Sequence, residues 1–332
     1  MTRHTGTPLL LSLAFSLCAP SMAHAALTSQ AVEDRPQPIV WQSANVQHAF
    51  GLPDAKKSAK GTLTVTPEGL TFTTKLGRSS LQRSSIIAVS AGNQRVELWG
   101  IKGRLLRMAI PDGGGLAAAG FMHHRVDMLT VEFDDKIGGY HGAVFYLPAN
   151  EAERALQSFA QMPPVHRELG DTVCRGPVKP GSVLVAAPDW DQVHVPAAYR
   201  ALVYEHLIVR LQHVAGDDQV YRDGQNSYQG ICPQYTVHLA IDAFNQGSQV
   251  ARAVMGPVGM FVGTTQMTFK TTFMDASGRL DAHEQIKATI RGESESTNVA
   301  DSVARAIAKR YVFTKKTFEK TTVEGSDALA HR

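Results

Sequence analysis

Three cysteines in 332 residues exclude a disulfide-dense scaffold. No Cys-x-x-Cys or His-x-x-x-His spacing occurs, so neither a zinc module nor a two-histidine metalloprotease helix is written in the chain. A Gly-x-Ser-x-Gly elbow is also missing, and with it the strained turn that exposes a hydrolase serine. There is no run of five Lys or Arg, and the formal net charge is only +3, which leaves little electrostatic basis for nucleic-acid binding. After the first 25 residues no apolar run approaches the length that crosses a bilayer, roughly 20 residues.

What is present is ordinary globular material: 43% apolar and 19% charged residues, enough to bury cores and too balanced for a disordered chain. At about 150 residues per domain, the length predicts two folded units. The N-terminus carries Arg3, the apolar stretch Leu9 to Leu17, and Ala23-His24-Ala25 before Ala26. This order predicts a secretory signal peptide over residues 1–25, cleaved near Ala25, and a periplasmic or secreted protein. Cys18 is preceded by Phe15-Ser16-Leu17, without the small residue a lipid-attachment site needs next to its cysteine. Removal of the signal leaves Cys174 and Cys232, for which the exporting context predicts a disulfide; two buried free thiols are the alternative. The bond would close a loop of about 60 residues and stabilise by roughly 4 kcal/mol in the chain-entropy model.

Residues 26–57 are left as an N-terminal extension. From Gly61 onward strand follows strand: Thr62–Thr66 and Leu70–Thr74 around the turn Pro67-Glu68-Gly69, then Ser84–Ser90, and Arg95–Trp99 after Gly92-Asn93. Arg104–Ile110, Val126–Phe133 and Gly142–Leu147 follow, and Pro148 opens a helix with Ala152, Ala155, Leu156 and Phe159 on one face. About seven short strands closed by one amphipathic helix resembles the pleckstrin-homology-like domain over residues 58–162. That resemblance implies an antiparallel β-barrel plugged by its C-terminal helix.

Seven Pro and Gly residues between 163 and 181 mark a linker. Beyond it come the strand Val183–Ala187, a helix Ala197–Val214 with Tyr199, Leu202, Val203, Leu207 and Leu211 on its buried face, and the strand Tyr235–Phe244. Two further strands, Thr264–Met274 and His283–Arg291, flank the turn Asp275-Ala276-Ser277-Gly278. A helix from Asn298 to about Val312 carries Val299, Val303, Ile307 and Tyr311, and residues 315–332 are expected to be a flexible charged tail. The stretch Phe244-Asn245-Gln246-Gly247-Ser248 through Arg252 and Gly256-Pro257-Val258-Gly259, then the Asp275-Ala276-Ser277-Gly278-Arg279 hairpin, resembles an uncharacterised family of bacterial envelope domains. That family is similar to the N-terminal domain of TolB, and the resemblance spans 182–313. It implies an α/β domain of residues 182–314 with an antiparallel sheet and two helices, and carries no catalytic residues with it. The expected fold class for the whole is therefore α+β.

Candidate sites divide into contact regions and chemical clusters. The loop containing Arg252, Met255, Gly256, Gly259, Met260 and Phe261 is apolar and glycine-punctuated, which fits a partner-binding surface with one cationic anchor; a bent strand pair is the plain alternative. Gly113, Gly114, Gly115 and Leu116 form a second loop candidate, not a phosphate loop, because no Lys-Ser/Thr follows. His123, His124, Asp127 and His141 are the one cluster of metal-type ligands, although adjacent residues of a strand face opposite ways. Glu293 and Glu295 sit in a polar turn before a helix and read as solvated. The balance points to a non-catalytic binding or scaffold protein of the cell envelope, its partner an envelope protein or a lipid surface, with no cofactor and no bound metal. A secreted metal-dependent hydrolase built on the histidine cluster, or a carrier of a small apolar ligand, are the alternatives.

Overall fold

Alternation of apolar with hydroxyl-bearing residues builds the first hairpin. Leu63 and Val65 in one strand and Leu70 and Phe72 in the next are buried, while Thr62, Thr64, Thr71 and Thr73 are not. The computed structural model describes residues 38–97, 123–160, 176–188, 197–214, 219–225, 230–245, 265–276, 280–290 and 296–330. Residues from Gln37 onward form one compact unit, of mixed α+β class.

Seven strands make the first sheet: β1 (Trp41–Phe50), β2 (Lys60–Thr66), β3 (Gly69–Thr74), β4 (Gly77–Gln82), β5 (Ile86–Glu97), β6 (His123–Asp134) and β7 (Tyr140–Leu147). Their order is β4-β3-β2-β1-β7-β6-β5, and every neighbouring pair is antiparallel. The barrel expected from the sequence is not formed. The sheet is open, with β4 and β5 as its edges; the 3-10 turn at Arg83–Ser85 links these two strands in sequence, but they are not paired with each other. Two further differences have local causes. β1 lies at the centre of the sheet yet shows no clean alternation, since Asn45 takes a positive φ of 60° and the pairing with β2 slips between Ser43 and Val46. Gly92-Asn93 does not turn the chain; both residues pair with β6, opposite Met128 and Asp127, and β5 runs unbroken.

Helix α1 (Ala152–Ala160) covers one face of this sheet with Ala155 and Phe159, against Val46, Leu129, Val131, Phe133 and Phe145. Asp127 at the side of β6 starts it, its Oδ2 accepting the Ala152 N–H at 3.2 Å. The opposite face of β6 and β7 is buried as well: Met128, Tyr140 and Val144 belong to the other core of the molecule. Burial on both faces explains why β7, Tyr-His-Gly-Ala-Val-Phe-Tyr-Leu, lacks a polar stripe.

The second sheet contains β8 (Val178–Val185), β9 (Gln219–Arg222), β10 (Cys232–Asn245), β11 (Thr265–Asp275) and β12 (Leu280–Ile290), in the order β12-β11-β10-β8-β9. It is mixed, not antiparallel as expected: β8 runs parallel to both β9 and β10, and only β10, β11 and β12 alternate in direction. The helix α2 (Ala197–Val214) is the reason, because a helical crossover returns the chain to the same end of the sheet. A third helix, α3 (Ser296–Ala330), packs along α2 and is 35 residues long, far beyond the predicted end near Val312. Contact accounts for its continuation past Val312 as far as Phe318: Thr314 is buried and Phe318 packs against the core.

Every residue of α2 from Ala201 to Ile208 is buried, including the face opposite the predicted stripe. A helix buried all round lies between two layers, and α2 lies between β7 of the first sheet and the strands of the second. The approach to β7 is close. A Cβ on Gly142 would lie 2.5 Å from Ala201 Cβ and 3.0 Å from its Cα. Gly51 meets the same spot from the other side with φ +93°. Gly142→Ala is therefore expected to lower unfolding free energy by roughly 1–3 kcal/mol, read as a lower urea midpoint with unchanged far-UV circular dichroism.

Candidate functional site

Glu205 sits in the middle of Leu202-Val203-Tyr204-Glu205-His206-Leu207-Ile208, a charged residue on a buried turn of α2 with 3% of its side chain exposed. A carboxylate there requires partners, and the two sheets supply them. Arg222, at the end of β9, grips it with both arms: Nη1 donates to Oε1 at 2.9 Å and Nη2 to Oε2 at 2.8 Å. From β7 the Gly142 N–H donates to Oε1 at 3.1 Å. His141 stands beside it, its Nδ1 3.3 Å from Oε1, a charge-range approach out of line for a good hydrogen bond. The other ring nitrogen of His141 is 3.2 Å from Asp135 Oδ2, and its ring stacks on Phe133 at 5.2 Å. Asp135 is held in turn by the Ile137 and Gly139 N–H groups at 2.9 and 2.8 Å.

The electrostatics follow from this crowding. Burial works against a charged Glu205, and the Arg222 guanidinium with His141 overrides it, holding the carboxyl down to about 2. Arg222 is pushed the other way, burial opposing its charge and Glu205 restoring it. Main-chain bonds complete the joint. Arg222 Nη1 also donates to the Tyr140 carbonyl at 2.9 Å, while the Tyr140 N–H donates to the Asp223 carbonyl at 2.9 Å. One residue of the first sheet is thus stitched twice to the end of β9. Tyr204 adds a hydroxyl donated to the Val185 carbonyl at 3.2 Å, and its ring lies under Arg222 at 5.7 Å.

A second polar group sits one turn further along. Asp301 of α3 receives Arg210 from α2 at 2.7 Å and Arg305 at 3.0 Å, and His206 Nδ1 lies 3.6 Å away. His206 stacks on Phe50, the last residue of β1, at 4.3 Å. Beside the Glu205 cluster is an open depression of about 210 Å3 whose lining includes His48, Phe50, Lys57, His141, Glu205 and Arg222. His48 is committed to the fold: its Nε2 accepts the Leu52 N–H and its Nδ1 lies 3.0 Å from the Lys56 carbonyl, which fixes the donor on Nδ1.

The residues singled out from the sequence fare differently. Arg252, Met255, Gly256, Gly259, Met260 and Phe261, the loop Gly113, Gly114, Gly115 and Leu116, and Cys174 lie outside the described residues. Cys232 is buried, and its Sγ accepts the Gly176 N–H at 3.0 Å. The histidine cluster is not brought together. In the β6–β7 ladder His141 pairs with Phe133 and Asp127 with Leu147, which separates them by about 20 Å at 3.4 Å per residue. His123 and His124 lie further along β6, roughly 30 Å from His141 by the same rise. Asp127 caps α1, and His141 serves the joint. The sequence reading missed Glu205, Arg222 and Asp301. A usable signal existed for Glu205, whose spacing from Ala201, Leu202 and Ile208 puts a lone acid on a buried face, but nothing in the sequence names its partner.

The arrangement ties α2 to both sheets. Arg222→Ala strands a buried carboxylate and is expected to cost about 3–5 kcal/mol of stability; the double variant Glu205→Leu/Arg222→Met is expected to cost less than the sum of the single changes in urea titrations. Because the Glu205 carboxyl is held below its ordinary 4.5, its contribution is complete above that value and declines as pH falls toward about 2. Glu205→Gln removes that part of the acid sensitivity of the urea midpoint.

No protein-family model matches the chain, and no curated protein matches it. Among solved structures, a PelC dodecamer from Paraburkholderia phytofirmans is similar at 14% identity, covering 40% of this chain and 87% of that one with a TM-score of 0.29. A second PelC dodecamer from the same organism gives 14% and 0.28 over 38% of this chain and 84% of that one. Protein XCC0632 from Xanthomonas campestris, a DUF330 protein, gives 13% and 0.25 over 46% and 94%. Likenesses this weak inform neither the fold nor the function.

Proposed function

We propose that the protein is an exported, non-catalytic binding or scaffold protein of the bacterial cell envelope, acting in assembly or transport. The observation that carries this reading is the joint at Glu205. Among the described residues, the convergent ionisable groups there are engaged in holding the two sheets and their helices in one arrangement. A joint of this kind makes a rigid frame, and rigid frames carry recognition on their loops. The loop around Arg252, Met255, Met260 and Phe261 joins β10 to β11 on this frame, and Gly113–Leu116 joins β5 to β6. Met and Phe supply adaptable apolar area, and Arg252 supplies one cationic anchor.

Several features support the exported, envelope setting. The segment before Ala26 has the order of a signal peptide, and no helix among the described residues is long and apolar enough to cross a membrane. The element order strand, helix, four strands and helix supports the resemblance to envelope domains similar to the TolB N-terminal domain, while the mixed sheet departs from it. Seven antiparallel strands followed by α1 agree with the pleckstrin-homology-like order. The Gly176 N–H against Cys232 Sγ brings the chain two residues after Cys174 to the sulfur, which supports the proposed Cys174–Cys232 disulfide.

Expression with the natural leader in a Gram-negative host tests the reading. Intact mass of the periplasmic fraction is expected to begin at Ala26 and to fall short of the reduced value by two hydrogens. Cross-linking in whole cells is expected to join the protein to envelope proteins, and the triple change Met255→Ser, Met260→Ser, Phe261→Ser to cut those products at least tenfold at unchanged thermal midpoint. An uncleaved cytoplasmic product, or an identical cross-link pattern in the triple variant, would refute it.

A further inference from the structure

We infer that His206 is an acid-sensitive latch on the seam between the seven-stranded sheet and the α2–α3 pair, closed while the imidazole is neutral and opened by its protonation. This goes beyond the binding role and does not depend on it. The ring is the meeting point of three elements. It belongs to α2, stacks on Phe50 at the end of β1 with ring planes 23° apart, and faces Asp301 of α3. Only 7% of its side chain is exposed.

The geometry fits one protonation state. Nε2 is buried and has no hydrogen-bond partner among the described residues. A neutral ring can leave a lone pair or a single N–H there at modest cost, whereas an imidazolium would bury a charged donor with no acceptor. Nδ1 cannot compensate. Asp301 Oδ1, 3.6 Å away, is already taken by Arg210 Nε and Nη2 at 3.0 and 2.7 Å, and Oδ2 is shared by Arg210 and Arg305. The charges facing the ring are mixed: Asp301 from α3 and Glu205 from α2 favour a cation, while Arg210 from α2 and Lys57 from the β1–β2 loop oppose it. Burial outweighs them all and pushes the imidazole down to about 4 from its ordinary 6.5. A protonated ring gains by swinging out to water, and that movement breaks the stack on Phe50.

The sign follows from linkage. The open seam restores the ordinary affinity for a proton, so the closed state is fully favoured above pH 6.5 and loses ground as pH falls toward about 4. The closed-to-open ratio is expected to fall on the order of a hundredfold across that window. Hydrogen exchange on the full chain reads this ratio directly. After correction for intrinsic rates, protection of the Phe50 and Gly51 amides and of the α2 amides beside them is expected to drop about that much between pH 6.5 and 4 in the wild type. His206→Phe keeps the stack and cannot titrate; His206→Gln is a second non-titrating change should the larger ring disturb packing. Both are expected to stay within about threefold. A wild-type protein with no drop overturns the latch. So does an equal drop in both variants, which would hand the effect to His48 or another group, or a loss of protection spread evenly over the chain, which would be global unfolding.

Discussion

A charged carboxylate in a stretch of helix buried on every side, Ala201 to Ile208, has to be met from every direction, and the rest of this structure follows from how Glu205 is met. Arg222 comes from the second sheet, the Gly142 N–H from the first, and α2 carries the acid between them. Such a pair adds little net stability over a well-packed hydrophobic substitute, because desolvating both ions consumes much of their attraction. Its effect on geometry is firmer. Only one docking of β7 on α2 places Gly142 against Ala201, the Gly142 amide on Glu205 and the Tyr140 backbone within reach of both Arg222 and Asp223. A slip of one residue along β7 would put a side chain where Gly142 stands and would leave the carboxylate without its amide donor.

The same joint shapes what the protein can do. An ionisable group suited to general acid–base work needs a free proton-transfer path to a substrate, and Glu205, Arg222 and His48 have theirs filled by backbone and by each other. The proposed role places recognition on surfaces that this frame displays. The segments between β5 and β6 and between β10 and β11 are where sequence composition departs most from polar connecting chain. His206 combines two features: its stack on Phe50 joins the elements, and its buried Nε2 has no hydrogen-bond partner among the described residues.

Legibility varied with how local the cause was. The hairpin at Thr66–Gly69, the helix Ala197–Val214 and the strands β10 and β11 could be read because alternation or helical spacing within ten or twenty residues decides them. β1 could not, since a bulge at Asn45 scrambles its alternation, and the four residues of β9 are too few for any pattern. The closed barrel and the purely antiparallel second sheet were expectations about which edges meet. Edge pairing is not recorded in a local pattern, and here the chain left β4 and β5 unpaired and set β8 parallel to two neighbours. The histidine cluster failed for a related reason: nearness in sequence along a hairpin becomes separation along its length.

By itself, then, the sequence determined the local elements, the secretory look of the first 25 residues and the absence of recognisable catalytic spacing, because these are properties of short windows. The tertiary structure alone decided that Glu205 meets Arg222, 17 residues away, and the amide of Gly142, 63 residues away. A buried ion pair is chosen by which layers close on each other, and no local window records that closure.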